Sequence, residues 1–336
     1  MATLRDVAIL AGVSNKTVSN VVNGSAPVRP ETKARVESAI AELGYRPNLA
    51  ARTLRAGRTG VIGLAVPDLS YSYFAELASA VLEVARDAGY VVLIEQTGGN
   101  RQDEIAFLTG PRTAMMDGLI FSPLGLLQED ADAIRVPYPL VLLGERTFQG
   151  SADHVLIDNV AGARLATQRL IASGKRRIAA VGMHGRDATA GLRLQGYREA
   201  LDLAGIAFDE SLVVYQEMWH RKEGAQSTES LIVNGVPFDA IFALNDELAL
   251  GALRVLVEHQ IQVPEQVALV GFDNVTEGQF ASPSLSTIDP HRSEVVRVAL
   301  GALLERISGE FSAKEPRSFR VAADFVQRES TLSLAE

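Results

Sequence analysis

Residues 3–24, TLRDVAILAGVSNKTVSNVVNG, are the stretch of this sequence that decides the fold. Thr3 and Asp6 have the spacing of a helix capping box, and apolar residues then recur at helical intervals. Ser14 is a natural cap for a second helix over residues 15–22, which an Asn-Gly pair ends. Two short helices joined by a turn of this length predict a helix-turn-helix.

The second predicted helix has an apolar face and a polar face. Its three valines share one side, and the opposite side carries Asn15, Lys16, Ser19 and Asn20 within about 140° of arc. A polar face on a short helix is usually only solvated. Here the two-helix geometry and the charge of the surrounding segment favour a face that contacts nucleic acid.

Charge is distributed unevenly along the 336 residues. Residues 1–60 hold nine basic and four acidic side chains, whereas the whole chain has a net charge of −9. A basic head on an acidic body is expected to attach to phosphate through the head and to leave the body free for another ligand.

The segment after the second helix predicts a third helix and then a linker. Pro30 at its first turn and Gly44 just past its end delimit the third helix, which completes a small core. Residues 48–58 have room for one very short helix, which is too short to be stable alone in water. An unstructured linker is the alternative interpretation.

From residue 61 onward, apolar strands alternate with amphipathic helices. This alternation predicts an α/β fold built from doubly wound parallel sheets, and its length implies two lobes with a cleft between them. Ligands of such sheets bind beyond the carboxyl ends of the strands. Polar and aromatic residues directly after each predicted strand are therefore the candidates for ligand contact.

Several classes of protein are disfavoured by the sequence. The glycines of residues 57–63 precede a strand and do not lead into a helix, so they do not form a dinucleotide loop. No HExxH, GxSxG, cysteine or histidine cluster is present, so we expect neither an enzyme nor a metal site. With no signal peptide and no long apolar run, the cytoplasm is the expected compartment.

The same opening stretch resembles that of LacI-type transcriptional regulators, which begin with a close variant of DVAxxAGVSxxTVSxVxN. The resemblance implies a three-helix helix-turn-helix head at residues 1–47, a hinge helix at 48–58 and a two-lobed core like that of periplasmic binding proteins. The core is expected to divide into an N-subdomain, 59–158 and 288–316, and a C-subdomain, 159–287 and 317–336.

The family pattern carries DNA-binding roles onto residues of the head and the hinge. In the family the hinge helix pairs with its symmetry mate in the minor groove, and a leucine is inserted between base pairs. The implied DNA-binding residues are Thr3, Ser14, Asn15, Lys16, Thr17, Ser19, Asn20, Asn23, Asn48, Ala51, Leu54 and Arg55. Many members have Arg where this chain has Asn20, so we expect a different preferred base, because Asn suits adenine.

The effector cleft is expected to combine aromatic rings with a few polar groups. Position by position, the family resemblance indicates Arg193, Asn245 and Asp273, and it indicates Trp219 less directly. For Asn245 and its neighbour Asp246, capping of the following helix is an equally good interpretation. The full expected set is Tyr71, Tyr73, Phe74, Arg146, Asp158, Arg193, Trp219, Asn245 and Asp273.

These observations predict an effector-controlled repressor of sugar uptake or catabolism genes. We expect a homodimer that binds a palindromic operator in double-stranded DNA, a small-molecule effector that is a sugar, and no cofactor or membrane partner. The chain end lacks the leucine-heptad helix that the family's tetramers add. The alternatives are a nucleoside- or purine-responsive regulator of the same architecture and, from another class, a sugar-binding transport receptor.

Overall fold

The structure is a computed structural model that describes residues 2–23, 26–45, 58–145, 148, 152–183, 188–309 and 315–331. The chain divides into two compact units, Met1–Gly60 and Val61–Glu336. Some predicted site residues lie outside the described residues, and their roles stay predictions: Asn48, Ala51, Leu54, Arg55, Arg146 and the side chain of Asn23.

The first unit contains the three predicted helices, α1 (Leu4–Ala11), α2 (Asn15–Asn23) and α3 (Pro30–Leu43). Thr3 and Asp6 form the predicted capping box, and Gly12 ends α1 in a left-handed conformation with φ of 64°. Burial of one apolar face from each helix forms the core, which consists of Val7, Ala8, Ala11, Val18, Val36, Ala39 and Tyr45.

The first lobe of the second unit is built on a six-stranded parallel sheet. Its strands are β1 (Val61–Val66), β2 (Val91–Gln96), β3 (Gly118–Phe121), β4 (Leu140–Leu143), β5 (Asp153–Ile157) and β11 (Ser318–Val321), in the order β11-β5-β4-β3-β1-β2. Its helices are α4 (Ser72–Asp87), α5 (Arg101–Thr109) and α11 (Arg292–Ser308). Apolar side chains on both faces of the sheet pack beneath these helices.

The second lobe repeats this arrangement. Its strands are β6 (Ile178–Met183), β7 (Val213–Tyr215), β8 (Ala240–Ala243), β9 (Ala268–Phe272), β10 (Ser286–Asp289) and β12 (Asp324–Val326), in the order β12-β10-β9-β8-β6-β7. Only β12 is antiparallel within this sheet as described. Its helices are α6 (Asn159–Ala172), α7 (Ala188–Leu203), α8 (Arg221–Val233), α9 (Asp246–Glu258) and α10 (Thr276–Gln279).

The chain passes between the lobes three times, and two passages differ from the sequence-based expectation. We expected the first lobe to resume at residue 288, but Ile288 still pairs with Phe272 in the second sheet. We expected residues 317–336 to belong to the second lobe, but Ser318–Val321 pairs in parallel with β5 of the first lobe. Asp153, which is almost fully buried in β5, accepts hydrogen bonds from the guanidinium groups of Arg306 and Arg317. These ion pairs hold the segment on the first sheet, so the crossing falls between Val321 and Asp324.

Helices α8 and α9 of the second lobe pack with their backbones nearly in contact. A Cβ atom added at Gly224 of α8 would overlap the carbonyl oxygen of Leu248, and one added at Gly251 of α9 would overlap that of Arg221. Only glycine fits at these two positions, so the helix pair forms a closely packed layer. Across the described ranges, none of the helices combines the length and the apolar character that a membrane crossing requires.

Candidate functional site: an exposed helix face and an interlobe cleft

The first candidate site is the polar face of α2. Ser14 lies just before the helix, and its hydroxyl accepts a hydrogen bond from the backbone N–H of Thr17 at 3.1 Å. The two hydroxyls of these residues also lie within hydrogen-bond distance, 2.9 Å apart. Ser14 therefore caps the helix as its sequence position predicts, and the cap fixes where the face begins.

The face itself is directed away from the small core. Asn15 and Lys16 are exposed, and Ser19 and Asn20 are partly exposed, whereas Val18 on the opposite side is fully buried. Thr3 is exposed at the start of α1, where its side chain takes part in the capping box. The geometry leaves this polar face able to enter a groove, as a recognition helix must.

The second candidate site lies between the lobes, and Arg193 is its most connected residue. Arg193 as a whole is only 4% exposed. Its guanidinium donates to Asn159 Oδ1 at 2.7 Å, to the carbonyl oxygen of Leu244, and to Asp273 Oδ1 at 3.4 Å. Buried charges are stable only when they are paired in this way, so the network fixes the orientation of Arg193.

Aromatic rings flank the same guanidinium. The Arg193 Cζ lies 3.6 Å from the ring centroid of Phe272 and 5.7 Å from that of Trp219. Guanidinium groups interact favourably with aromatic faces at such distances. The structure therefore brings Arg193, Trp219 and Asp273 together, as the sequence predicts, and adds Phe272 to them.

Asp273 lies immediately after β9 with an unusual backbone. Its φ is 110°, and the next residue, Asn274, has a φ of 51°. Burial raises the pKa of the Asp273 carboxyl to about 6, and the positive charges of Arg193 and Arg292 oppose this rise. Two successive non-glycine residues with left-handed dihedrals, next to a buried carboxyl, are typical of a functional site.

Three predicted aromatic residues approach the cleft from the start of α4. The ring of Tyr71 stacks on that of His220, with centroids 4.1 Å apart, and its hydroxyl accepts a hydrogen bond from the backbone N–H of Trp219 at 3.2 Å. Tyr73 and Phe74 pack edge to face at 5.3 Å. Burial raises the pKa of the Tyr71 and Tyr73 hydroxyls, so both stay protonated and able to donate.

Other predicted cleft residues take part in helix caps. Asn245 accepts from the N–H of Leu248 at 2.8 Å and donates to the carbonyl of Trp219 at 3.1 Å. Asp158 caps α6 through the N–H of Ala161 at 3.1 Å. These capping contacts occupy part of each side chain, and roles for Asn245 and Asp158 in effector binding stay predictions.

The acidic neighbour of Asn245, Asp246, is fully buried. It accepts hydrogen bonds from the hydroxyl of Thr287 at 2.7 Å and from the N–H of Val275 at 2.9 Å. Burial raises the pKa of Asp246 well above its usual range. Its contacts connect α9 to β10 and to the loop after β9, and they favour the structural interpretation of this residue.

Sequence reasoning missed Glu145 and Asn159. Glu145 lies two positions after the end of the Leu-rich strand β4 and one position before the predicted Arg146, and its Oε1 accepts from the N–H of Ile157 at 3.1 Å. Burial raises the pKa of Glu145 to about 7. Both residues are polar and follow a strand closely, so the same signal that indicates Arg146 and Asp158 also indicates their neighbours Glu145 and Asn159.

Direct contacts also join the two lobes near the start of α4. The hydroxyl of Ser72 lies 2.7 Å from Glu247 Oε1 and 2.9 Å from Glu277 Oε1. Arg221 forms an ion pair with Glu247 at 2.7 Å, on the same side of the cleft. The structure therefore shows the lobes in contact around the cleft, with polar groups from both lobes partly shielded from water.

These features define a class of protein: a helix-turn-helix head joined in one chain to a two-lobed, ligand-binding α/β core. Residues 3–48 match the bacterial regulatory proteins of the lacI family, and residues 167–331 match the periplasmic binding protein-like domain. The helix-turn-helix match covers all of α1, α2 and α3.

Curated relatives match over almost the whole chain. The HTH-type transcriptional regulator CelR of Thermobifida fusca is 38% identical, and the match covers 98% of both chains. The ribose operon repressor of Haemophilus influenzae is 32% identical over 99% of this chain and 100% of its own. The chain therefore belongs to the LacI family of bacterial transcriptional regulators.

Solved structures give the same result. A CelR–cellobiose complex is 32% identical, with a TM-score of 0.71 over 98% of this chain and 100% of the other. The lac repressor dimer bound to operator and an anti-inducer is 27% identical, with a TM-score of 0.85 over 99% of both chains. The protein is an effector-controlled, DNA-binding transcriptional regulator.

Proposed function

We propose that this regulator is a homodimeric repressor of sugar uptake or catabolism genes, and that its effector is a sugar bound between the lobes. The observation that carries the proposal is the arrangement around Arg193. There a guanidinium and the carboxyl of Asp273 lie beside the rings of Trp219 and Phe272. Rings suit the apolar faces of a sugar, and buried charged groups suit its hydroxyls.

The names of similar proteins support a sugar as the effector. One similar structure is a complex with cellobiose, and another relative is named for the ribose operon. Relatives named as the repressor PurR are also similar, at 30% identity over 99% of this chain, so a purine or nucleoside is the alternative outcome of a binding screen. We further infer that the cleft acts by binding alone and without catalysis.

An exposed apolar edge of the first lobe supports a homodimer. Strand β2 is at the edge of its sheet, and Val91, Leu93 and Ile94 are 63%, 39% and 38% exposed. Apolar edge strands of this kind tend to be covered by a partner. A second copy is the partner we propose, and its two-fold symmetry implies a palindromic operator.

For DNA binding, we propose that Asn15, Lys16 and Asn20 of α2 face the bases and that Ser14, Thr17 and Ser19 contact phosphates. The exposed or partly exposed position of all six residues supports these roles. The residues of the hinge helix would add contacts in the minor groove.

The test combines a binding screen with a gel shift. The full chain is heated with cellobiose, ribose, other sugars and purine nucleosides in turn, because a ligand at 100 times its Kd adds about 2.7 kcal/mol to the free energy of unfolding. A gel shift with genomic fragments is then repeated with each stabilising compound. Stabilisation by nucleosides and by no sugar would contradict a sugar effector.

A further inference from the structure

Arg292, the first residue of α11, holds the backbone that carries Asp273. Its Nη2 donates to the carbonyl oxygen of Asp273 at 3.0 Å and to that of Asn274 at 3.3 Å. These are the two residues with left-handed dihedrals, which non-glycine residues adopt only when their surroundings compensate for the strain. A charged donor shared by both carbonyls is such a compensation.

The other side of the same guanidinium is held by Glu76 of α4. The Nη1 atom of Arg292 lies 2.6 Å from Glu76 Oε2, and these side chains are 17% and 23% exposed. The second oxygen of Glu76 accepts a hydrogen bond from the backbone N–H of Thr276 at 2.8 Å. One carboxylate of the first lobe thus holds both Arg292 and the loop after β9 in the second lobe.

The ring of Tyr73 completes the surroundings of Arg292. The Arg292 Cζ lies 5.5 Å from the centroid of this ring. Among the described residues, the buried Nε of Arg292 has no hydrogen-bond partner. The charge of Arg292 is therefore balanced chiefly by Glu76, and loss of that carboxylate would leave a largely buried cation without its ionic partner.

We propose that Arg292 is a positioning residue for Asp273, and that Glu76 makes this positioning depend on contact between the two lobes. Arg292 and Glu76 both belong to elements of the first lobe, whereas the carbonyls and the amide that they bind belong to the second. Separation of the lobes at this point removes the support of the left-handed backbone. The direction of the Asp273 carboxyl is in this way coupled to closure of the cleft.

The proposal rests on the proposed role of Asp273 in effector binding, but its first test requires no effector. Amide hydrogen exchange of residues 273–277 is measured by mass spectrometry on the full chain, in the wild type and in Arg292→Lys and Glu76→Gln variants. We expect this segment to exchange about 10-fold faster in both variants, because hydrogen bonds to a charged group are lost or weakened.

A matched control is available on the same helix. Arg297 and Glu294 form an exposed ion pair on α11, with side chains 69% and 43% exposed, so Arg297→Lys makes the same chemical change away from the cleft. Exchange in strand β8 reports on global unfolding, so the acceleration at residues 273–277 is measured relative to β8 in each variant, and any overall loss of stability is thereby taken into account. Wild-type exchange at residues 273–277 in both cleft variants would overturn the proposal, and if Arg292→Lys does not fold, Glu76→Gln alone decides.

The second test measures sugar binding and separates the two proposals. Trp219 is the only tryptophan, so its fluorescence reports directly on the cleft during titration with cellobiose and with ribose. We expect Asp273→Asn to abolish the response to the sugar that binds, and Arg292→Lys to weaken its affinity about 10-fold. If the fluorescence of Asp273→Asn still responds to the sugar, the proposed function is contradicted. If Arg292→Lys binds the sugar with unchanged affinity, only the positioning role of Arg292 is contradicted.

Discussion

The α2 face and the interlobe cleft are built in opposite ways. Every described polar residue of the α2 face lies within a few positions of its neighbours in the sequence. The hydroxyls of Ser14 and Thr17, for example, form a hydrogen bond at the start of the helix. In the cleft, Arg193 reaches partners 34, 51 and 80 positions away along the chain. The first site is formed by local structure, and the second exists only once the whole core has folded.

The energetics of the two sites differ in the same direction. Residues such as Asn15 and Lys16 are exposed in the free protein, so replacing them costs little stability. The cleft residues are buried and satisfy one another, so removing one leaves others without partners. Mutations in the head should therefore change DNA binding with little change in stability. Mutations in the cleft should change ligand binding and stability together.

Arg193→Ala should give the largest effect. Removing one partner of a buried pair leaves Asp273 as an unpaired buried carboxyl, so we expect the free energy of unfolding to fall by about 3–5 kcal/mol. Urea denaturation measures this change. Arg254→Ala is the control because Arg254 pairs with Glu258 at the surface, with side chains 71% and 51% exposed, and it should cost less than about 1 kcal/mol. Equal losses of unfolding free energy in Arg193→Ala and Arg254→Ala would contradict the expected difference between a buried and an exposed ion pair.

Glu145→Gln should change how stability depends on pH. The pKa of Glu145 is raised by burial to about 7, so between about pH 4.5 and 7 the folded state retains a proton that the unfolded chain releases. Wild-type stability should therefore decrease as pH rises through this window, and Gln should reduce that decrease by about 1–3 kcal/mol. Urea denaturation at pH 5 and pH 8 measures it. Parallel pH profiles for both proteins would show that Glu145 ionises normally.

Asn20→Arg should change base preference without changing stability. Asn suits the edge of adenine and Arg that of guanine, so a randomised-operator selection should move one symmetric pair of positions toward guanine by about 1–3 kcal/mol. Asn20 is partly exposed on α2, so thermal unfolding of the two proteins should coincide. If wild type and variant select the same half-site, Asn20 does not read a base.

Ser14→Ala should give the smallest effect and the most local one. Loss of the hydroxyl that accepts from Thr17 should lower the free energy of unfolding of the head by about 1 kcal/mol. Thermal unfolding of residues 1–60 within the full chain, followed by hydrogen exchange, measures this loss. Exchange in the core strands should be unaffected, and a change there would mean that the cap acts beyond its own helix.

The accuracy of the sequence-based predictions also differs between features formed by local structure and features formed by long-range contacts. The capping box at Thr3, the cap at Ser14 and the glycine stops at Gly12 and Gly44 depend on residues close in sequence, and the structure confirms them. The predicted stop at Gly24 lies outside the described residues. The α/β class and the meeting of Arg193 with Asp273 followed from strand periodicity and the family resemblance. Both of these signals are present in the sequence before any contact is known.

The sequence did not reveal what depends on long-range pairing. Arg292 looks like an ordinary first residue of a helix until Glu76 and the carbonyl of Asp273 are seen on either side of it. The boundary at residue 317 was misplaced because only the buried Asp153 shows which sheet receives the following strand. No local pattern encodes such partners.

The close approach of α8 and α9 has a consequence for engineering this protein as a biosensor. Because Gly224 and Gly251 admit no side chain, a library that randomises the facing surfaces of these helices would consist largely of unfolded members. The loop of residues 216–220, which precedes α8 and carries Trp219, is free of this restriction, since its residues are exposed or partly exposed and none of them has a positive φ. New ligand specificities should therefore be sought in the loops, with the helix pair left as a constant frame.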